Sequence, residues 1–416
     1  MRIETILNHC QKFKSFVYKK ASWGKYEGTS CLLIEVVPRK NSQACCSVCH
    51  KRASLYDRLS SRQFEFVPLW GYRTFFVYQM RRVDCQRCGI KVEQVPWASG
   101  KQTLTQTYMR FLSDWASCLS WSETAKRFHS SWSKVYESVK YAVNYGLSQR
   151  DLSDVTAIGV DEISIRKGHH YLTMVYQIDK DHTRLLWLGQ GRSEQTLTEF
   201  FELFGTQWAS NIRYICSDMW KPYLKVIRTK LPQALHILDR FHIVANLNKA
   251  LDKVRAEEAR RLQSQGHEPV LKKSRWCLLK SPSRLTDKQG IKLNELLRYN
   301  LTTVKAYLLK ESFQLFWNYT SPYWAERFLK NWCDEVEQSN IAPVKKEAQS
   351  LRRHRELILN WFRAKKAFSS GIVEGLNNKA KVVTKKAYGF KHYKYAEIAL
   401  YHQLGKLPRP PDTHRF

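Results

Sequence analysis

Two textures alternate along the chain. Short runs of β-branched and aromatic residues between turn residues predict strands; apolar positions at three- and four-residue spacing predict helices. Within residues 1–100, Cys31–Val37 and Arg73–Val83 read as strands, the second after a Trp70-Gly71 turn. Residues 103–150 turn helical, through Leu104–Leu119, Trp121–His129 with Ser122 as its expected cap, and Ser130–Val139. Strands return at Val155–Ile165, Tyr171–Ile178 and Leu185–Gly189, separated by Lys167-Gly168 and Asp179–Asp181. A helix over Glu194–Phe204, a strand at Ile212–Cys216, a helix near Pro222–Leu231 and a strand at Ala234–Leu238 follow. After Asp239-Arg-Phe-His242 the pattern is helical, from Leu251–Leu262 through 291–340, with a basic connector at Lys272–Pro282. The last piece, Gly371–Leu404, opens on a helix carrying Glu374 and runs into basic, aromatic Lys385–Tyr395. There is no internal repeat.

At 416 residues the chain exceeds one typical domain. The texture divides it into a β-rich module at 1–100, a helical region at 101–150, a mixed core at 151–250, a helical insertion at 251–354, a return to the core at 355–407 and a tail at 408–416. Hydrophobic residues make up 43%, enough for packed cores, and no run approaches the ~18 apolar residues of a membrane helix. The first residues lack the apolar segment of a signal peptide. Lys and Arg number 69 against 37 Asp and Glu, a net charge of +32 spread along the whole chain. An excess that large points to a polyanionic partner, nucleic acid before membrane, because no single basic amphipathic helix dominates. Eleven cysteines, several isolated in apolar surroundings, fit a reducing cytoplasm.

Two Cys-x-x-Cys pairs bracket the β-rich module: Cys46 with Cys49, and Cys85 with Cys88 followed by Gly89. Such a turn holds two thiolates close enough to share one ion, and two turns brought together complete a closed tetrahedral zinc site. The long spacing requires the intervening hairpin to fold back. Two cysteine pairs without metal remain the alternative, and neighbouring Cys45 and His50 leave the ligand set open. Downstream, the two short helices at 121–139 match a helix-turn-helix, with Lys126, Arg127 and Lys134 near the recognition helix. An ordinary helical hairpin fits the same pattern; the basic context favours DNA.

Three acids stand in telling settings. Asp161 ends the apolar run from Val155, Asp218 ends the run from Ile212, and Glu374 lies early in its helix. Carboxylates after strands sit on the rim of a sheet, where a crevice forms. Three converging there make a hard, anionic, oxygen-rich site suited to two Mg²⁺ ions and phosphodiester chemistry. Glu162 adjoins Asp161, but strand alternation assigns the two to opposite faces. Any one acid alone is more often surface charge, and Glu374 is equally explained as an acid favoured at a helix N-terminus. The element order β-β-β-α-β-α-β is that of a ribonuclease-H-like fold.

The motifs Gly159-Val-Asp161-Glu-Ile-Ser-Ile-Arg-Lys-Gly-His169, Ser217-Asp218-Met-Trp-Lys-Pro-Tyr223, Asp239-Arg-Phe-His242 with Leu251-Asp252, and Glu374-Gly-Leu-Asn-Asn378 with Ala387-Tyr-Gly-Phe390 together resemble the ISL-three family of bacterial insertion-sequence transposases. The cysteine pairs and the helix-turn-helix candidate also fit, so the resemblance covers nearly the whole chain. It implies a multidomain α+β protein: a zinc-ribbon-like module, a helix-turn-helix, and a ribonuclease-H-like catalytic domain interrupted by a helical insertion. It implies a DDE transposase with Asp161, Asp218 and Glu374 as metal-binding triad, supported by Asp239, His242 and Asn377, with two Mg²⁺ or Mn²⁺ ions per site and a structural zinc. Ser369-Ser370-Gly-Ile-Val precedes Glu374 where the pattern has a Ser-Asn pair. The implied partners are double-stranded DNA, as terminal inverted repeats and target, and further copies of the chain assembled on it, in a bacterial cytoplasm at the nucleoid. Lys379, Lys381, Lys385 and Lys386, past Glu374, are placed to hold flanking phosphates or to form a solvated helix face. A DNA-binding regulator with a dead nuclease-like domain is the alternative; the presence of all three acids weighs against it.

Overall fold

The computed structural model describes residues 2–166, 170–368 and 371–411. The Lys167-Gly168 turn, His169, the Ser369-Ser370 pair and the end of the tail lie outside them. The chain divides into two compact units, Met1–Asp151 with Val382–Phe416, and Leu152–Lys381.

The first unit begins with α1 (Ile3–Cys10) and a sheet of β1 (Phe16–Tyr26), β2 (Thr29–Pro38), β3 (Ser54–Leu69), β4 (Tyr72–Cys85) and β5 (Gly89–Val92). The strand order is β1-β2-β4-β3, with β5 also on β4. Two antiparallel hairpins, β1–β2 and β3–β4, are joined by a parallel pairing of β2 with β4. Each hairpin turns on two residues with positive φ, Glu27-Gly28 at 49° and 80° and Trp70-Gly71 at 52° and 84°. Two positive φ values match the right-handed twist of the flanking strands. The core of the module is aromatic. Trp97, 1% exposed, packs against Phe13, Phe16, Phe64, Phe76 and Tyr78 with ring centroids 5.0–6.3 Å apart.

Three helices follow, α2 (Gln106–Cys118), α3 (Trp121–Arg127) and α4 (Trp132–Gln149). The cap of α3 is Ser120, not the expected Ser122: the Ser120 hydroxyl accepts from the Glu123 N–H while the Glu123 carboxylate accepts from the Ser120 N–H. That reciprocal box satisfies two orphan donors at once and fixes where the helix starts. Ser131 caps α4. His129, at φ 49°, makes the turn between the two helices.

The second unit holds a sheet of β6 (Ala157–Arg166), β7 (His170–Ile178), β8 (Thr183–Gln190), β9 (Tyr214–Ser217) and β10 (Leu235–Leu238), in the order β10-β9-β6-β7-β8. The β6–β7 and β7–β8 pairs are antiparallel; β6–β9 and β9–β10 are parallel. Between strands run α5 (Glu194–Ala209) and α6 (Lys221–Lys230), whose apolar faces close over the sheet through Leu197, Phe200, Tyr223 and Ile227. From β10 the chain passes directly into α7 (Arg240–Ser264), then α8 (Arg275–Leu279), α9 (Asp287–Leu296), α10 (Thr302–Gln314), α11 (Pro322–Gln338), α12 (Ala342–Arg353) and α13 (Arg355–Arg363). The basic connector is thus partly helical: Cys277 and Leu278 are buried and hold α8 in place. Buried Glu258 accepts the Thr302 and Thr303 N–H groups at 3.0 and 2.7 Å, an anion on the N-terminus of α10. The helices return to the sheet at α13, where the Asn360 amide donates to the His236 carbonyl of β10 at 2.8 Å.

The unit boundary falls inside α14 (Gly371–Lys386). Beyond it, α15 (Tyr393–Leu404) packs on α4, and the His402 ring shares a 3.0 Å hydrogen bond with Ser113 of α2.

Candidate active site

Strand register builds the site. Gly159 of β6 pairs with Cys216 of β9, and Cys216 with Ile237 of β10. Two residues further along each strand come Asp161, Asp218 and Asp239. The three acids therefore stand at one level on three neighbouring parallel strands, with strand spacing of roughly 4.8 Å between neighbours. Asp218 and Asp239 follow the last residues of β9 and β10, while Asp161 lies within β6 just past its pairing with β9. The Asp239 N–H donates to the Ser217 carbonyl at 2.8 Å, which carries the parallel pairing up to the acid itself. Each carboxylate is tied to local backbone: Asp161 Oδ1 accepts from the Glu162 N–H at 2.8 Å, Asp218 Oδ1 from the Trp220 N–H at 2.9 Å, and Asp239 Oδ1 from the Phe241 N–H at 2.6 Å. The last bond also caps α7. His242, one turn into that helix, has Nε2 3.7 Å from Asp239 Oδ2.

The row is electrostatically uneasy. Burial pushes the Asp161 carboxyl up to about 6, with the charges of Asp218 and Asp239 adding to it and His242 and the Glu162 N–H opposing. Asp218 is raised for the same first reason, burial. Glu162 is pushed up to about 7 by burial and then by the charges of Asp218 and Asp161, although Arg192 pairs with it at 3.1 Å. Glu162, paired with Thr173 of β7, alternates with Asp161 along β6, yet the charges of Asp218 and Asp161 both act on it. The Arg192 guanidinium lies 4.3 Å over the Trp220 ring and 5.0 Å over Tyr171. Oxygen ligands held near one another at a cost in mutual repulsion are a donor set for a hard divalent cation. No three carboxylates among the described residues bring oxygens within 4.8 Å of one another.

The helix that carries the last acid, α14, packs against β6. Gly159 makes the approach possible: a Cβ there would stand 2.5 Å from Val373 Cγ2. Buried Asn377 fixes the helix further on, its amide donating to Asp161 Oδ2 at 2.6 Å while its carbonyl accepts from the Tyr176 hydroxyl at 2.7 Å. Glu374 lies one turn before Asn377 and therefore on the same face of α14, exposed. Sequence reasoning named Asn377 from its motif but gave no reason to single out Tyr176 or Arg192.

The four expected cysteines come together. Cys46, Cys49, Cys85 and Cys88 place their sulfurs within 4.8 Å of one another, and Cys49 Sγ is 3.5 Å from Cys85 Sγ. A tetrahedral zinc with ~2.3 Å bonds needs sulfurs about 3.8 Å apart. The backbone prepares the thiolates: N–H groups of Arg87 and Cys88 draw the Cys85 thiol down to about 7, and those of Cys49 and Val48 lower Cys46. Cys88 is pushed up to about 12, first by burial. His50 turns to Gln94 at 2.9 Å, so the ambiguity over Cys45 and His50 resolves to the four knuckle sulfurs. The cluster is consistent with a structural zinc.

The basic candidates divide. Lys126, Arg127, Lys379, Lys381 and Lys385 are exposed. Lys134 instead pairs with the buried Glu65 carboxylate at 2.7 Å, and the Lys386 ammonium donates to the Cys118 carbonyl at 2.6 Å.

Known proteins of similar sequence were found along the same stretch. A family model described as a transposase, of the DDE type and ISL3 (ISL-three) group, matches residues 158–400. A transposase for insertion sequence element IS1001 of Bordetella parapertussis is 30% identical over 353 residues, 84% of this chain and 86% of that protein. A transposase for insertion sequence element IS1557 of Mycobacterium tuberculosis is 27% identical over 408 residues, 92% of this chain and 91% of the relative.

Proposed function

The chain belongs to the ISL3 family of DDE transposases, and we propose that it binds the ends of an insertion sequence, cleaves the DNA strands there and joins the freed 3′ ends to a target. The observation that carries this reading is the in-register row of Asp161, Asp218 and Asp239 on three neighbouring strands, with α14, the helix of Glu374, tied to it through Asn377. The strand order and the placement of its acids support a ribonuclease-H-like core.

Asp161, Asp218 and Glu374 are the proposed metal-binding triad. Two ions roughly 3.5–4 Å apart span more than one ion does, so a row of carboxylates wider than the cysteine knuckle suits a pair. When bound, Mg²⁺ or Mn²⁺ supplies Lewis acidity, activating a water or 3′-hydroxyl and stabilising the leaving oxygen. Asn377 holds the Asp161 carboxylate at a set angle, and the Tyr176 hydroxyl holds Asn377. Asp239 and His242 flank the triad; Glu162 with Arg192 borders Asp218. The same site serves cleavage and joining in turn, with no covalent protein–DNA intermediate.

The zinc knuckle, at one ion per chain, and the helix pair α3–α4, as a helix-turn-helix, are the proposed end-binding elements, with exposed Lys126 and Arg127 on phosphates. No helix among the described residues is long and apolar enough to cross a membrane. A DNA substrate places the working protein in the bacterial cytoplasm at the nucleoid, as a dimer or larger assembly on its two ends. The test is purified full-length protein with Mg²⁺ and a duplex carrying the inverted repeats that flank the gene. Nicking at the repeat's 3′ end, followed by joining to target duplex, is expected; intact DNA in the presence of demonstrated end binding would sink the reading.

A further inference from the structure

The first unit contains a cavity of about 600 Å³ that the proposed chemistry does not use. Its walls come from two distant stretches, the start of α3 and α4 on one side and the segment from Val382 to Gln403 on the other. The lining is mainly apolar and aromatic. Trp132 and Tyr395 meet edge to face at 5.0 Å, Trp121 lies 5.4 Å from Trp132, and Phe390 is 6.2 Å from Trp121. No acidic residue lines it, while Lys386 and Lys391 do. At this cavity Tyr388 is fully exposed, 101%, and holds φ at 52°. A large aromatic residue in left-handed backbone with nothing packed on it is costly in both respects, and such strain collects at binding sites.

We propose that this cavity receives an unstacked nucleobase of the bound DNA, with Tyr388 and Trp132 as stacking faces and Lys391 against the neighbouring phosphate. The volume lies in the range of small-ligand sites. Aromatic walls accept any base, because every base has a π-face, and lysines without acids favour a ligand whose flat ring is joined to an anionic backbone. An apolar side chain of another protein would fill the walls but bring no anion to Lys391. Ser120 and Ser122 in the wall offer hydroxyls to a base edge. A base drawn out of the stack must be exchanged for equivalent stacking in the protein, and the cavity supplies it.

This inference rests on DNA being the substrate, so the experiment separates the two. Full-length protein is titrated against a mixed-sequence duplex of about thirty base pairs and against the same duplex carrying one bulged 2-aminopurine. Wild-type protein is expected to bind the bulged duplex roughly tenfold more tightly, the order that stacking of one base on an aromatic ring supplies, and to quench the 2-aminopurine. Tyr388→Ala, at a fully exposed position that folding does not need, and Trp132→Ala should each bring the ratio toward one and relieve the quenching. Equal affinity of wild-type protein for both duplexes, or a preference and quenching untouched by Tyr388→Ala, overturns the cavity's role while leaving DNA binding intact. Failure to bind either duplex overturns the DNA reading itself.

Discussion

The cysteine knuckle and the acid row are both clusters of metal-ligand side chains, and they are built in opposite ways. The knuckle is local: two tight turns, each with its own backbone N–H groups aimed at sulfur, bring four sulfurs within 4.8 Å. The acid row is a product of register. Its three aspartates come from strands 57 and 21 residues apart, and burial together with mutual repulsion raises Asp161 and Glu162. A closed set of soft ligands holds an ion for structure, whereas a row of hard ligands, open on one side, leaves room for a substrate oxygen. The contrast makes different demands on stability. Filling the knuckle should be inseparable from folding its module, whereas the acid row should cost stability when it has no counter-charge.

The largest effect is expected at the knuckle. Cys85→Ser should abolish zinc binding, from about one ion per chain to none by metal analysis, and melt the end of the sheet where β4 meets β5. Structural zinc contributes apparent binding energies of ~10 kcal/mol or more to small modules, so the loss should appear as a separate low-temperature transition. A variant without zinc whose module melts as in the wild type would show that the four sulfurs are merely neighbours.

Asp161→Asn comes next and should divide the two properties that fall together at the knuckle. Strand cleavage is expected to drop on the order of 10³-fold, the loss typical when one preorganised electrostatic group leaves a site. The thermal midpoint should rise at neutral pH, because a buried charge repelled by Asp218 and Asp239 has gone. A fall in both activity and stability would mean that Asp161 is part of the framework.

The pH dependence follows from the same contrast. Asp161 and Glu162 have folded values raised above their ordinary ones, to about 6 and about 7. Below about pH 4 both are protonated in either state and cost the fold nothing. As pH rises through the folded values the native state must give up protons it holds more tightly than the unfolded chain does, so stability falls. His242 and Arg192 face these groups and oppose the effect without reversing it. A midpoint that declines between about pH 4 and 7, and declines less in Glu162→Gln, is expected from calorimetry. Millimolar Mg²⁺ should flatten the decline; a flat profile without Mg²⁺ would count against a strained row.

Much of this was legible in the sequence, for physical reasons. An apolar run that stops at an acid marks the strand end at Asp218 and, at Asp161, the level where β6 leaves its pairing with β9 while continuing to Arg166, and Cys-x-x-Cys reports its own turn geometry. What the sequence did not offer was pairing. Strands β1 and β3 were missed because their exposed halves are polar, with Lys19, Lys20 and Lys25 in one and Asp57 to Arg62 in the other. The parallel join of β2 to β4 depends on contacts between distant hairpins. Alternation puts Glu162 on the other face of β6 from Asp161, but it says nothing of the charge coupling to Asp218 that the neighbouring strand brings. Cys277 and Leu278 were read as connector because five residues are too few to show helical periodicity.

The smallest effect should come from the hydrogen-bond chain that positions the acid row, the counterpart of the knuckle's backbone N–H groups. Tyr176 is buried, its hydroxyl donates to Asn377, and Asn377 donates to Asp161. Tyr176→Phe keeps the ring and its packing but leaves the Asn377 carbonyl without that donor in a buried place, at a cost of ~1–3 kcal/mol. Asn377 is then free to rotate, and Asp161 loses its set angle. Groups that orient metal ligands affect metal affinity or activity by about 10–100-fold when removed. Tyr176→Phe acts one step further out, so a cleavage rate at saturating Mg²⁺ lower by about three- to tenfold is expected, with a raised Mg²⁺ requirement. Asn377→Ala should do the same more strongly, and the double variant should be no worse than Asn377→Ala alone, because the tyrosine acts only through the amide. A double variant whose losses simply add would show that Tyr176 serves the core and not the site.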